Sequence, residues 1–173
     1  SQGNTITFNG VTGGDGVQLN TAGIGNSVRG NSIYSNGSSA NDLGIDLGAD
    51  GVTPNDAKDP DSGSNNQQNF PIITSALVTG STKTITGTLN STVGDTVTID
   101  FYKSPACDTV GGNGEGKVYL GSATTAATDA NGDVSFTFHP AGLSLADVGQ
   151  VVTATATSTG ASFNTSEFSA CFG

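Results

Sequence analysis

The sequence predicts an all-β protein: about two terminal coils of a right-handed parallel β-helix, followed by an Ig-like seven-strand β-sandwich. Three observations predict it. The first is composition. Of 173 residues 26 are Gly, Met and Trp are absent, and only 12% are charged. Thr, Val, Ile and Phe favour strands, Gly, Asn and Asp favour turns, and the straight-chain residues that favour helices are scarce. The second is an internal repeat in residues 1–50. The third is a series of short alternating segments across residues 71–173.

Residues 1–50 read as the coils. Gly3-Asn4-Thr5-Ile6-Thr7-Phe8-Asn9-Gly10 aligns with Gly30-Asn31-Ser32-Ile33-Tyr34-Ser35-Asn36-Gly37 at an offset of 27, and Gly16-Val17-Gln18-Leu19 aligns with Gly44-Ile45-Asp46-Leu47 at an offset of 28. Gly25-Asn26-Ser27-Val28 repeats the theme between them. A period of this size marks stacked repeats. Each coil would turn Ile and Leu inward and pair its backbone with the next, with equivalent asparagines stacking as ladders. An end coil exposes unpaired N–H and C=O groups. Repeat arrays generally need about three units, so these coils are expected to meet further repeats or another subunit.

Residues 51–70 have almost no apolar side chains and read as an acidic loop or linker. Asp56, Asp59, Asp61 and Asn65 are its densest oxygen cluster. The alternate spacing Asp59-x-Asp61-x-Gly63-x-Asn65 lets hard oxygen ligands converge on calcium, with Asp46 and Asp50 as further donors. A solvated acidic loop is the competing reading.

Residues 71–173 contain seven candidate strands: 72–78, 83–89, 96–102, 117–126, 134–139, 151–158 and 166–172. Val97, Ile99 and Phe101 alternate with Thr96, Thr98 and Asp100, and Val134, Phe136 and Phe138 follow the same rule. Asp129-Ala130-Asn131-Gly132 is a hairpin turn, and the alternating oxygens of Asp129, Asn131 and Asp133 belong to it. Seven short strands at this spacing match an Ig-like sandwich.

Charge and composition exclude several functions. Five Lys+Arg against 15 Asp+Glu give a net charge of −10, the reverse of a nucleic-acid footprint. No apolar run is long enough for a transmembrane helix. The single histidine, His139, closes a strand at the surface and leaves little material for a metal site or a proton relay. Arg29 is the only arginine, and Asp42 and Asp46 carry no mark of a catalytic pair. No catalytic residue and no organic cofactor is assigned. A start at Ser1 without Met reads as a mature chain or a fragment.

Three blocks carry a resemblance: Gly30-Asn31-Ser32-Ile33-Tyr34-Ser35-Asn36, then the run from Leu43 through Asp56, then Gln68-Asn69-Phe70-Pro71. They resemble a block of large bacterial surface proteins that carry right-handed β-helix repeats of the CSLREA-domain type. There the block ends the helix and leads into an Ig-like domain, which resembles residues 98–107, 114–121 and 164–171 here. The resemblance implies secretion and a surface or structural role, with no defined reaction. It also carries the cysteine pair Cys107 and Cys171. A disulfide between them would close a loop of about 64 residues, the alternative being two free buried thiols. Asn36, Asn90 and Asn164 begin N-x-Ser/Thr triplets, glycosylation acceptors in a competent host.

The expected function is a non-enzymatic, extracellular structural or adhesive protein of the cell surface. One form is a filament protomer that assembles head-to-tail through strand addition or coil stacking, its partners being further copies or upstream β-helix repeats. The alternative is a carbohydrate-binding or accessory module of a secreted polysaccharide-active protein, with a cell-surface glycan as partner. Without Trp, its stacking platform would rest on Tyr34, Tyr102 and Tyr119.

Overall fold

Ten strands and one 3-10 turn make up the regular structure of a computed structural model, which describes residues 3–10, 14–39, 41–79, 82–107, 113–142, 149–160 and 162–173. Among the described residues there is no α-helix, and no helix is long and apolar enough to cross a membrane. The chain is all-β.

The first four strands are β1 (Thr5–Thr7), β2 (Val17–Leu19), β3 (Ser32–Tyr34) and β4 (Ile45–Leu47). β1 pairs in parallel with β3, Ile6 opposite Ile33, and β2 pairs in parallel with β4, Leu19 opposite Leu47. The repeat offsets in the sequence are therefore the pairing registers. The corners repeat as well: Phe8 and Ser35 take the same left-handed conformation, φ 58° and 57°. Ile33, Ile45 and Leu47 are buried between the layers, with Ile6, Val17, Leu19 and Val28 half-buried against them.

Six longer strands follow: β5 (Ile72–Thr79), β6 (Thr82–Asn90), β7 (Val97–Ser104), β8 (Val118–Thr124), β9 (Asp133–Phe138) and β10 (Val151–Ser158). They form two antiparallel sheets, β5-β6-β9 and β10-β7-β8. Ile73, Ile85, Leu89 and Phe136 from one sheet meet Val97, Ile99, Phe101, Val152, Ala154 and Ala156 from the other in a single core. Phe101 stacks on Phe138 at 4.5 Å and meets Phe136 edge-on at 5.6 Å. The Asp129 hairpin forms as expected, its Oδ1 accepting from the N–H groups of Asn131 and Asp133. His139 is exposed, with Nδ1 beside the Lys83 carbonyl.

The seventh expected strand, 166–172, is not one. The segment runs along β10 with isolated bridges, Thr165 with Thr157 and Phe172 with Val152, and between them the Ser166 and Ser169 N–H groups donate to the Ala156 and Ala154 carbonyls. Between them two serine hydroxyls stand in for backbone carbonyls: Ser166 Oγ takes the Ala156 N–H and Ser169 Oγ takes the Ala154 N–H. The β10 donors are satisfied without a continuous ladder. Glu167 and Phe168 are thereby released toward the coils. Cys107 and Cys171 are joined by a disulfide, Cα–Cα 5.8 Å, which fastens this segment to the chain leaving β7.

Both faces of β7 are covered. Val97, Ile99 and Phe101 face the core between the sheets, while Tyr102 joins Ile33, Ile45, Leu47 and Phe168 in a second core. The first four strands thus lie on the outer face of the β10-β7-β8 sheet. A bulge opposite Phe101 and Tyr102 brings Tyr119 to the same face, 5.4 Å from the Tyr102 ring.

Candidate functional site

The site is the two parallel pairs, β1 with β3 and β2 with β4, in which β1 and β2 make a first coil and β3 and β4 a second; among the described residues the outer edge of the second is closed and that of the first is open. Its rungs are amides. Asn4 Nδ2 and backbone N–H both donate to Asn31 Oδ1, and Asn9 does the same to Asn36 Oδ1. On a third line Asn26 donates twice to Asn65 Oδ1, and Asn65 Nδ2 donates on to the carbonyls of Asn26 and Thr165. Asn65 is wholly buried. Asn65→Ala leaves the Asn26 N–H and the Thr165 carbonyl without these partners, while Asn26 Nδ2 keeps Gly23 O and Asn26 O keeps the Thr165 N–H, so a loss of about 2–4 kcal/mol is expected in a urea melt. A loss below about 1 kcal/mol would show that the rung is ornamental.

The second coil is closed by the chain's only two glutamates. Glu115 Oε1 accepts from Asn36 N–H and Nδ2, at 3.1 and 2.9 Å. Next to it Gly116 exchanges both backbone bonds with Ile33, each 2.8 Å. Gly116 has to be glycine, because a Cβ there would lie 2.6 Å from the Tyr102 ring and 2.7 Å from that of Phe168. Glu167 accepts from the N–H groups of Leu47 and Thr53, both at 3.0 Å, and from Thr53 Oγ1 at 3.3 Å. These two carboxylates and Gly116 thus engage the outer edges of β3 and β4.

An ion pair with a buried carboxylate and a partly exposed guanidinium ties the coils to the sheet. Arg29 Nε and Nη2 fork onto Asp100 at 2.6 and 3.0 Å, and Tyr119 donates to the same carboxylate at 3.0 Å. Asp100 has no exposed surface. The hydrogen bond to Asp100 raises the Arg29 guanidinium above its usual pKa, against the pull of desolvation. The Gly30 N–H donates to Tyr102 Oη at 3.0 Å, and burial pushes that phenol well up.

Burial also raises the Glu167 carboxyl to about 7, despite the N–H groups that favour its charge. Asp59 is raised to about 6 for the same reason. A raised carboxyl binds its proton more tightly in the folded state. Its stabilisation is complete below the unfolded pKa, near 4.5 and 3.8, and is lost as pH rises through about 7 and 6. Unfolding free energy is therefore expected to fall between pH 4 and pH 8, by up to about 3 kcal/mol for each group. Asp42, lowered by the Ser38 N–H, pulls weakly the other way. Glu167→Gln should flatten the slope in denaturant melts across this range; an unchanged slope would exonerate Glu167.

Among the described residues the first coil is open. Asn4 and Phe8 direct backbone groups at the second coil, through Ser32 N–H to Asn4 O and Phe8 N–H to Ser35 O. Strand alternation then turns the N–H and C=O of Thr5 and Thr7 to the opposite side. By the same rule, between Val17 N–H to Gly44 O and Gly48 N–H to Leu19 O, Gln18 also faces outward. Phe8, 75% exposed, borders this edge.

The residues singled out in the sequence fall as follows. Asp59 is buried, its carboxylate taken by Gln68 Nε2, Ser91 Oγ and the Asn69 N–H. Asn65 belongs to the amide ladder, so it does not join Asp56, Asp59 and Asp61 in an oxygen set. Among the described residues Asp56 Oδ1 is shielded without a hydrogen-bond partner, and Asp61 is exposed. Among the described residues no three His, Cys, Asp or Glu side chains gather as a metal set. Residues 51–70 are accordingly not a solvated linker: Asp59, Ser64, Asn65, Gln68 and Asn69 are buried, held by polar bonds that hydropathy does not register.

Two of the three glycosylation triplets have buried asparagines. Asn36 is a ladder rung, and Asn164 Oδ1 accepts the Gly25 N–H at 2.7 Å. Asn90 Nδ2 donates to Asn131 O and Asp133 Oδ1. Asp46 is buried as a turn acceptor for Ala49 and Gly51. Glu115, Glu167, Arg29 and Asp100 are the residues to which sequence reasoning assigns no part in the site. The signal was rarity: two glutamates and one arginine in the whole chain.

No protein-family model matches the chain, and a search of curated proteins returns no match.

Proposed function

We propose that the chain is a non-enzymatic, extracellular structural protein of the cell surface: the end of a right-handed parallel β-helix, closed by an Ig-like sandwich. Its open first coil is the surface through which it joins more protein by strand addition. One observation carries the reading: among the described residues the edge of the first coil is unpaired, while that of the second is filled by Glu115, Gly116 and Glu167. A closed end and an open end give the module a direction, as a stalk or filament component requires. The disulfide and the low charge density suit an oxidising exterior. The likeness to surface proteins of the CSLREA-domain type agrees with this role.

The geometry narrows the filament form. A second copy cannot stack its coil on the closed second coil, so head-to-tail growth between copies would have to use an edge of one of the antiparallel sheets. The glycan-binding alternative is disfavoured by the tyrosines. Tyr102 is 1% exposed, Tyr34 is half-buried with Lys117 Nζ 4.4 Å over its ring, and only Tyr119 is exposed, at 41%. No two of them form an exposed platform.

Gold-labelled antibody on intact source cells tests the role. Label on surface stalks or filaments is expected. Label confined to the cell interior, or to a soluble glycan-bound secreted enzyme, would overturn it.

A further inference from the structure

The amide ladders have a direction, and the direction specifies what fits the open face. Every fork is built alike: one asparagine's backbone N–H and Nδ2 donate to a side-chain oxygen in the next layer. Asn4 donates to Asn31 at 2.9 and 3.2 Å, Asn9 to Asn36 at 3.2 and 3.0 Å, and Asn36 to Glu115 at 3.1 and 2.9 Å. All point from the first coil toward the sandwich. An asparagine can receive a fork and pass one on, whereas a carboxylate can only receive. Glu115 therefore terminates the series. At the opposite end Asn4 and Asn9 donate forward, yet among the described residues no fork reaches their own Oδ1 atoms. Between these two acceptors lie the outward N–H and C=O groups of Thr5 and Thr7.

Resting on the reading of the first coil as the attachment surface, we infer that its occupant is a coil of a partner polypeptide with an exposed Gly-Asn-x-Ile-x-x-Asn-Gly segment. That coil lies parallel to β1 and forks its two asparagines onto Asn4 and Asn9. The interface between β1 and β3 is the template, since the same octad already docks there at a register of 27. The new coil's Ile would cover Ile6 as Ile6 covers Ile33. A second copy of this chain does not fit. The donor side of its second coil is occupied, and its open coil presents the same acceptors, so two copies would meet oxygen to oxygen. The specificity is thus for a donor coil and against self-pairing.

The probe is the full chain lengthened ahead of Gly3 by a tethered copy of residues 3–29, which supplies the donor octad at high effective concentration. Amide hydrogen exchange is read at Thr5 and Thr7. In the lengthened chain both should slow by more than about tenfold. The protection should vanish when the added copies of Asn4 and Asn9 are changed Asn→Ala. Protection that survives the Asn→Ala change overturns the fork specificity and leaves the open-coil reading standing. No protection in either lengthened chain overturns both. Protection that rises with concentration in the unlengthened chain would identify a second copy as the occupant and overturn the inference.

Discussion

Arg29→Ala lowers the unfolding free energy by about 3–5 kcal/mol. The effect comes less from the arginine than from what it leaves behind. Asp100 sits on β7 with no exposed surface, and its two oxygens accept Arg29 Nε, Arg29 Nη2 and Tyr119 Oη. Without the guanidinium, one phenol hydroxyl faces a buried carboxylate, and an uncompensated buried charge is among the most destabilising of single changes. Arg29 is 37% exposed, which lets water enter and holds the effect toward the lower figure. The double variant Arg29→Met with Asp100→Leu should recover most of the loss, because an apolar pair needs no compensation. Guanidinium melts of the single and double variants check this. Equal losses in both would mean that side-chain shape, and not the buried charge, sets the effect.

Reduction of Cys107–Cys171, or Cys171→Ser, is expected to cost about 4 kcal/mol. The bond spans 64 residues, and closing a loop of that size removes this much entropy from the unfolded chain. For a chain of this length the melting temperature should fall by about 8–16 °C. The consequence is also local. The segment 162–173 has no continuous ladder with β10, and it carries Glu167 and Phe168 to the coils. Releasing its end should speed amide exchange at Leu47 and Thr53, whose N–H groups rest on Glu167, before the two sheets open. A scan with and without reductant gives the first quantity and exchange under reductant gives the second. A melting temperature unmoved by reduction would show that the side-chain bonds of this segment suffice.

Much of the fold was legible because local chemistry repeats. The coil corners demand Gly and Asn, so the offsets of 27 and 28 could be read as a period and reappear as strand registers. Val97, Ile99 and Phe101 alternate because one face of β7 meets the core. The same alternation misled at 166–172, since a pattern of side chains cannot distinguish a backbone ladder from serine hydroxyls that replace it. The acidic loop misled for a related reason. Asp59 and Asn65 look solvated in a window of neighbours, yet their partners are Ser91 and Thr165, distant in sequence. The closing layer was the least legible part. Glu115 meets Asn36 across 79 positions and Glu167 meets Leu47 across 120, and no local period encodes such pairings.

The outer edges of β3 and β4 are closed by the segments that carry Glu115, Gly116 and Glu167, and among the described residues the outer edges of β1 and β2 are open. Residue-resolved hydrogen exchange on the isolated chain tests this most directly. Ile33 and Leu47, whose N–H groups bond to Gly116 O and Glu167 Oε1, should exchange only through global unfolding. Thr5, Thr7 and Gln18, on the outward edge of the first coil, should exchange at least about a hundredfold faster. Equal protection of Thr5, Thr7 and Ile33 in the isolated chain would contradict the account, because it would mean that the first edge is already covered.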